Sequence, residues 1–200
     1  VIDEEATEDI QKMSSIVVTE QSYFHTSSWQ FFINRLPWLV ALLLLGTLSS
    51  GIIARFENLL ASLPIIAAFM PAMVDTGGNI GSQISALVIR GMALGEIDQK
   101  DWWRVLTREL LIGAMLASTL AVAVLLRVVF VTRVTHIMLA VSTALFVVVI
   151  VSNIIGALLP FIAKSLKIDP AIMAGPLLTT IVDLLGIAIY FSVVNFMLSV

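Results

Sequence analysis

The run from Met70 to Ile89, MPAMVDTGGNIGSQISALVI, begins as an apolar segment and is then interrupted by Asp75, Thr76, Gly77, Gly78, Asn79, Gly81, Ser82 and Gln83. Its surroundings are the long apolar runs of a membrane protein. Of the 200 residues 59% are hydrophobic and only 12% charged, where soluble domains carry about a quarter charged. A carboxylate inside a bilayer costs several kcal/mol on most scales, and adjacent glycines loosen the helix that carries them. Loosened backbone at membrane depth is tolerated only where it is buried in protein or lines water. On a helix, Asp75, Asn79 and Gln83 recur at i, i+4 and i+8 and share one face. That face is polar, carries oxygen ligands, and is expected to look into a wet path.

Cysteine is absent, so neither disulfides nor thiolate metal sites are available. Charge is unevenly spread. Asp3, Glu4, Glu5, Glu8, Asp9 and Glu20 face a single base, Lys12, in the first 30 residues, and the rest of the chain is slightly basic. The chain begins at Val1, and its opening lacks the basic-then-apolar layout of a signal peptide. It is therefore read as a fragment that normally has more chain upstream. Glu4 to Val18 is predicted as a short acidic helix with a weak apolar stripe of Ala6, Ile10, Met13 and Val17. Tyr23, Phe24, Trp29, Phe31, Phe32 and Trp38 then cluster around one base, Arg35. Aromatic rings gather at the headgroup level of membranes. A nucleic-acid stacking platform needs several bases beside its rings, so no nucleic-acid partner is expected.

The fold class expected is an all-α integral membrane protein with five transmembrane helices. The first span covers about Leu36 to Arg55, with Pro37 in its first turn, where proline is tolerated. Gly46, Ser49, Ser50 and Gly51 give it a small-residue face for close helix contact. The second covers about Leu59 to Met92; as one helix it would be roughly 50 Å long against a hydrocarbon core of about 30 Å. It must tilt, protrude or break, and Pro64, Pro71 and the glycine pair are the candidate points. The third covers about Trp102 to Phe130, the fourth about Val134 to Ala163 and the fifth about Pro170 to Val200, with Pro160 and Pro170 flanking the last connection. In this arrangement Arg35, Arg90, Lys100, Arg104, Arg108, Lys164 and Lys167 fall on one side, and Arg55, Arg127 and Arg133 on the other. Lys/Arg bias places the richer side in the cytoplasm, hence a cytoplasmic N-terminus and an external C-terminus. The loop from Gly91 to Asp101 is then a cytoplasmic, solvated turn.

In the fifth span Asp183 lies fourteen residues past Asp169, about 20 Å along a helix and near the bilayer middle. Thr179 and Thr180 precede it by one turn, and Gly186 and Tyr190 continue that side. An intramembrane aspartate is a functional-site hypothesis by default; the structural alternative is a neutral Asp183 bonded between helices. Ser152, Asn153 and Gly156 make a smaller polar patch, which reads equally as interhelical glue. Arg108 and Glu109 are expected at the cytoplasmic interface, with Arg108 snorkelling. His25 and His136 make no metal-ligand spacing. Carboxylates, hydroxyls and amides form an all-oxygen inventory that suits hard cations, and Mg²⁺ is usually held through waters and one or two carboxylates. The residues thus favour passage of a hard divalent cation, a proton or Na⁺ between the second and fifth spans.

The order and spacing of several pieces carry a resemblance. They are Pro71, Thr76-Gly77-Gly78-Asn79 with Gly81 and Gln83, and Arg90; then Asp101-Trp102 with Arg104, Asn153 and Gly156 with Leu159-Pro160, Asp169-Pro170, and Pro176-Leu177 followed by Asp183 and Gly186. Across essentially its whole length the chain resembles the membrane domain of the MgtE-type magnesium channels. The opening Glu4 to Ile10 resembles the linker helix joining that family's cytosolic regulatory domains to its membrane domain. The resemblance implies that residues 1–30 are the cytosolic linker and membrane approach, that residues 31–200 are the ion-conducting domain, and that regulatory domains precede residue 1. It implies a homodimer in the cell membrane, with a pore on the two-fold axis lined by the second and fifth spans. There Asp183, with Asn79 nearby, would hold a hydrated Mg²⁺, the transported ion. Some members carry Asn just before the fifth-span proline; this chain has Gly175. The resemblance then leaves ligation at that level to Asp75, Thr179 or backbone carbonyls.

Two other readings compete. One is a Na⁺- or H⁺-coupled, alternating-access Mg²⁺ transporter. The other is an intramembrane aspartyl protease, since Asp75-Thr76-Gly77 spells the soluble aspartic-protease triplet. That triplet needs a β-hairpin context, and the Gly-x-Gly-Asp and Tyr-Asp pairs of the membrane proteases are absent from the sequence. No enzymatic activity is expected.

Overall fold

A computed structural model describes residues 24–131, 134–173 and 175–198 of the chain. The predicted acidic helix over Glu4 to Val18, together with Tyr23 and Arg133, lies outside the described residues. Among the described residues the structure is helical, without strands.

Helix α1 runs from Ser28 to Arg55. Ser27 caps it, its hydroxyl accepting a hydrogen bond from the Gln30 amide at 3.2 Å, which satisfies one of the donors a helix start leaves free. The helix therefore begins well before the expected Leu36, and Pro37 sits inside it rather than in its first turn. The aromatic cluster thereby becomes helical: Trp29 stacks on Phe32 at 5.2 Å, and the Arg35 guanidinium lies 5.2 Å from the Phe31 ring centroid.

The expected second span breaks. Helix α2, Glu57–Ser62, ends at Leu63, whose backbone (φ −136°, ψ 71°) leaves the helical region ahead of Pro64. The proline's ring disfavours helical geometry in the residue before it. A 3₁₀ stretch, Pro64–Phe69, leads into α3, Met70–Ala93, which passes unbroken through Pro71 and the glycine pair. The glycines do not loosen the helix, because the neighbours packed on them hold it. With 24 residues α3 is about 36 Å long, enough for a hydrocarbon core of about 30 Å.

The α3 helix ends at a left-handed Gly95 (φ +71°), which lets the Glu96 amide reach back 2.9 Å to the Gly91 carbonyl. The following loop is docked rather than a free turn. Gln99 Nε2 donates to the Phe161 carbonyl and to Ser165 Oγ, both at 2.8 Å. Asp98 and Asp101 form a reciprocal capping box ahead of α4, Trp102–Val131. Helix α5, Thr135–Ser165, continues through Pro160, so that proline does not flank the connection after it. The fifth span is interrupted: α6 covers Pro170–Met173 and α7 covers Pro176–Leu198. Counting along a single helix from Asp169 therefore misplaces Asp183, which stands in the second turn of α7.

Helix α5 is the hub, packed against α3, α4 and α7. Ala140, Val141, Ala144, Leu145, Val148 and Val149 are buried along it, and small and β-branched residues on several sides let three helices approach at once. Tyr190 ties α7 to the 3₁₀ stretch, its buried hydroxyl donating to the Ile66 carbonyl at 2.7 Å. Helix α1 touches the bundle mainly along α7 and has no buried residue; Gly46 and Gly51 face open space. Among the described residues four segments are long and apolar enough to cross a membrane: α1, α4 with its preceding turn, α5, and the stretch from α6 through α7.

Candidate functional site: a polar groove between α3 and α7

Three glycines decide how α3 sits. At Gly156 of α5 an added Cβ would lie 2.5 Å from the Gly81 carbonyl oxygen, so two backbones touch where neither residue has a side chain. At Gly77 a Cβ would meet Ser152 Oγ at 3.0 Å and Val182 Cγ1 at 3.1 Å. Gly78, one residue on, points elsewhere: its Cβ would lie 3.2 Å from Asp183 Oδ1 and 3.6 Å from Thr179 Cγ2. The glycine pair thus packs α3 against α5 with one member and brings its backbone to the Asp183 carboxylate with the other.

Around Gly78 lies an open groove of about 520 Å³, lined by Met70, Pro71, Val74, Asp75 and Asn79 from α3 and by Thr179, Asp183 and Ile187 from α7. Asp75 and Asn79 are one turn apart, as are Thr179, Asp183 and Ile187, so each helix presents a single stripe to the groove. Asp75 and Asn79 are exposed and Asp183 half-buried. The two carboxylates are near enough for their charges to interact. Gln83 shares the exposed face of α3 but is not part of the groove lining. Thr179 and Thr180 both donate their hydroxyls to the Pro176 carbonyl, at 3.0 and 2.8 Å. The Thr179 hydroxyl oxygen therefore turns its acceptor side outward.

Of the five residues singled out as metal-binding, Asp75, Asn79, Thr179 and Asp183 come together at this groove. Gly175 does not line it; its carbonyl accepts the Thr179 amide at 3.3 Å and is occupied in starting α7. The hydrophobic wall formed by Val74 and Ile187 was not singled out from sequence, although Ile187 follows Asp183 by one turn. Asp75-Thr76-Gly77 lies within α3, which lacks the β-hairpin setting an aspartic-protease triplet requires.

The second polar patch has a different character. Asn153 is fully buried with its amide against Gly113 of α4, where an added Cβ would lie 2.7 Å from Asn153 Cγ. Neither amide atom has a hydrogen-bond partner among the described residues. Asn153 therefore joins two helices by contact, not by the interhelical hydrogen bond its residue type suggests.

Among the described residues no group of three or more His, Cys, Asp or Glu could enclose a bare metal ion. The groove instead offers two carboxylates, an amide and a hydroxyl, all oxygen donors, around an open space. That set suits a cation that keeps its water and is held through it.

Comparison with known proteins yields one family and several relatives. Residues 70–193 match the MgtE family, described as a divalent cation transporter. The chain is 35% identical over 198 residues to the magnesium transporter MgtE of Thermus thermophilus, covering 99% of this chain and 44% of that protein. It is 33% identical to the magnesium transporter MgtE of Bacillus subtilis, covering 96% of this chain and 42% of the relative. With the magnesium transporter MgtE of Enterococcus faecalis it shares 29% identity over 98% of its length and 42% of the relative. The chain thus spans less than half the length of these curated relatives.

Proposed function

The chain belongs to the MgtE family of divalent cation transporters, and from that premise we propose that it forms the ion-conducting domain of a magnesium channel, with the groove between α3 and α7 as one wall of the pore. The observation that carries this reading is the convergence of Asp75, Asn79, Thr179 and Asp183 on one open groove.

In a single copy that groove looks outward from the bundle. An exposed carboxylate facing hydrocarbon costs several kcal/mol, which a lone protomer in lipid cannot offset. A second copy placed about a two-fold axis turns two outward grooves into one shared, water-filled lumen. In this arrangement α3 is the second of five spans, α7 belongs to the fifth, and the ion runs between α3 and α7 of both protomers. The Lys/Arg bias of the sequence supports an orientation with the α3–α4 loop and the N-terminus cytoplasmic and the C-terminus outside.

Charge sets the preference. A divalent ion gains twice what a monovalent ion gains from each carboxylate, on the order of 6 against 3 kcal/mol at about 5 Å with an effective dielectric near 20. Mg²⁺ dehydrates reluctantly, so the protein's part is to hold the hydrated ion by its waters. Asp183 supplies charge at the narrow side against Gly78, Asp75 supplies charge at the exposed side, and the Asn79 amide oxygen and the Thr179 hydroxyl oxygen accept hydrogen bonds from the ion's waters. The chain's task is passage of an ion rather than catalysis of a bond change.

The test is single-channel recording of the purified chain in a planar bilayer with Mg²⁺ as the charge carrier. Discrete openings, carrying far more ions per second than a coupled carrier turns over, are expected. Ion movement that needs a Na⁺ or H⁺ gradient and shows no openings would replace the channel with a coupled transporter. Single cysteines placed along the Thr179–Ile187 stripe give an independent check of the axis, since no native cysteine interferes. Failure of every such cysteine to cross-link two copies would rule out the shared lumen.

A further inference from the structure

A second cleft, of about 460 Å³, opens at the other side of α3, where its end meets the α3–α4 loop and the first turns of α4. Asp101, just ahead of α4, and Arg104, Val105, Arg108, Glu109 and Ile112 on it line the cleft, at a spacing that places them on one continuous stripe. Glu96 and Ile97 of the loop and Leu87 and Val88 of α3 complete the walls. The composition of the stripe changes along its length. Arginines and carboxylates occupy the loop end, while beyond Glu109 the walls are Ile112 and Leu87, which are 37% and 61% exposed.

Trp102 and Trp103, 46% and 59% exposed, stand at the start of α4 beside this cleft. Exposed tryptophans mark the headgroup level of a bilayer. Arg108 is six residues further along, about 9 Å deeper, so the cleft descends from the headgroups to the upper acyl region. Its polar-to-apolar gradient runs in the direction a phospholipid would lie.

The charges select among lipids. Arg104 and Arg108 offer planar forks that match a phosphate. Glu109, half-buried and next to Arg108, and the exposed Glu96 offer carboxylates. Asp101 is engaged elsewhere, its carboxylate accepting the Asp98 amide at 2.9 Å. Among the described residues no salt bridge holds Arg104 or Arg108, and the Arg108 charge lies near enough to Glu109 to act on it, so the cleft presents both signs of charge side by side. A lipid with only negative headgroup charge would be drawn by the arginines and repelled by the glutamates. A choline headgroup carries a cation with no hydrogen to donate. A primary ammonium beside a phosphate satisfies both sets, with the phosphate on the arginines and up to three N–H donors for the carboxylates.

We propose that this cleft is a binding site for an aminophospholipid of the phosphatidylethanolamine type, headgroup against Arg104, Arg108 and Glu109 and one acyl chain along Leu87 and Ile112. The site requires that the chain span a membrane but not that the α3–α7 groove conduct magnesium. Its test has a readout separate from ion flow.

The purified full chain in detergent is mixed with equal amounts of phosphatidylethanolamine, phosphatidylcholine and phosphatidylglycerol, and retained lipid is counted by native mass spectrometry. Phosphatidylethanolamine should be retained about ten-fold over the other two, the scale of one charge-assisted hydrogen bond. Glu109→Gln should remove the advantage over phosphatidylcholine, since the amide no longer attracts the ammonium. Arg104→Gln, on an exposed side chain whose loss leaves the bundle packing intact, should lower retention of both phosphatidylethanolamine and phosphatidylglycerol. Equal retention of the three lipids by the parent chain would overturn the proposal, as would phosphatidylglycerol retained above phosphatidylethanolamine. So would a preference that survives Arg104→Gln and Glu109→Gln unchanged.

Discussion

On one side of α3, Gly81 lies against Gly156 of α5 so closely that no side chain fits between the backbones, and Gly77 packs on the Ser152 side chain; on the other, Asp75 and Asn79 look into an open groove. Both faces come from the seven residues Asp75 to Gly81, and the small and polar residues in that run serve two opposite ends. The α5 side is dry and spatially fixed, held by backbone contact at Gly156. At the groove the α7 side is polar, and there Gly78 brings the α3 backbone up to Asp183. A rigid rear contact is what allows the front stripe to hold Asp75 opposite Asp183, because a helix free to rotate by one residue would carry Asp75 about 100° away.

The largest effect expected on this comparison is at the rear. Gly156→Val puts a branched side chain where even a Cβ would lie 2.5 Å from the Gly81 carbonyl oxygen, and a backbone atom cannot swing aside. The loss should be at or above the usual overpacking range, about 3 kcal/mol, read as a large fall in melting temperature or loss of the monodisperse peak in detergent. Normal stability of this variant would mean that the rear face is not fixed.

At the front, Asp75→Asn should leave stability unchanged and lower the Mg²⁺-over-Na⁺ permeability ratio by about ten-fold, since the charge is exposed and partly screened. A fold defect in Asp75→Asn would erase the distinction between the two faces. Asn79→Ala removes a neutral amide that touches the ion only through water, so the same ratio should fall by only a few-fold. The smallest effect belongs to α1. Gly46→Ala meets nothing within 4 Å and should raise helix stability by about 0.5–1 kcal/mol. If Gly46→Ala instead weakens association of two copies in a cross-linking or light-scattering assay, the small-residue face of α1 is an interface.

The polar stripe was legible in sequence because its period is helical: Asp75 and Asn79 one turn apart, Thr179 and Asp183 likewise. Membrane character followed from the length of the apolar runs. The packing role of the glycines was not legible. Gly77, Gly78 and Gly81 lower intrinsic helix propensity, and only the position of α5 reveals that this permissiveness is used for close contact rather than for a bend. Boundaries failed for similar reasons. Pro37 and Pro160 stay inside helices that neighbouring residues extend, whereas Pro64 breaks one, and proline identity alone does not separate these outcomes. The break between α6 and α7 moved Asp183 from the middle of a long expected helix to the second turn of a shorter one. The sequence reads the loop from Gly91 to Asp101 as a solvated turn and offers no sign of the cleft beside it, because the walls of that cleft come from segments separated in sequence.

Asp183 is where the account is most exposed. If its charge holds a hydrated divalent ion, Asp183→Asn should abolish Mg²⁺ selectivity while monovalent cations still pass, and Asp183→Glu, with the charge kept one methylene further out, should retain part of it. The measurement is the Mg²⁺-to-Na⁺ permeability ratio of the parent and both variants in the same bilayer, with melting temperature recorded alongside. The predicted order is parent, then Glu, then Asn, at similar stability. A neutral, structural Asp183 gives the reverse, with Asn tolerated and Glu disruptive. Undiminished Mg²⁺ selectivity in Asp183→Asn would contradict the assignment of the α3–α7 groove as the ion's path.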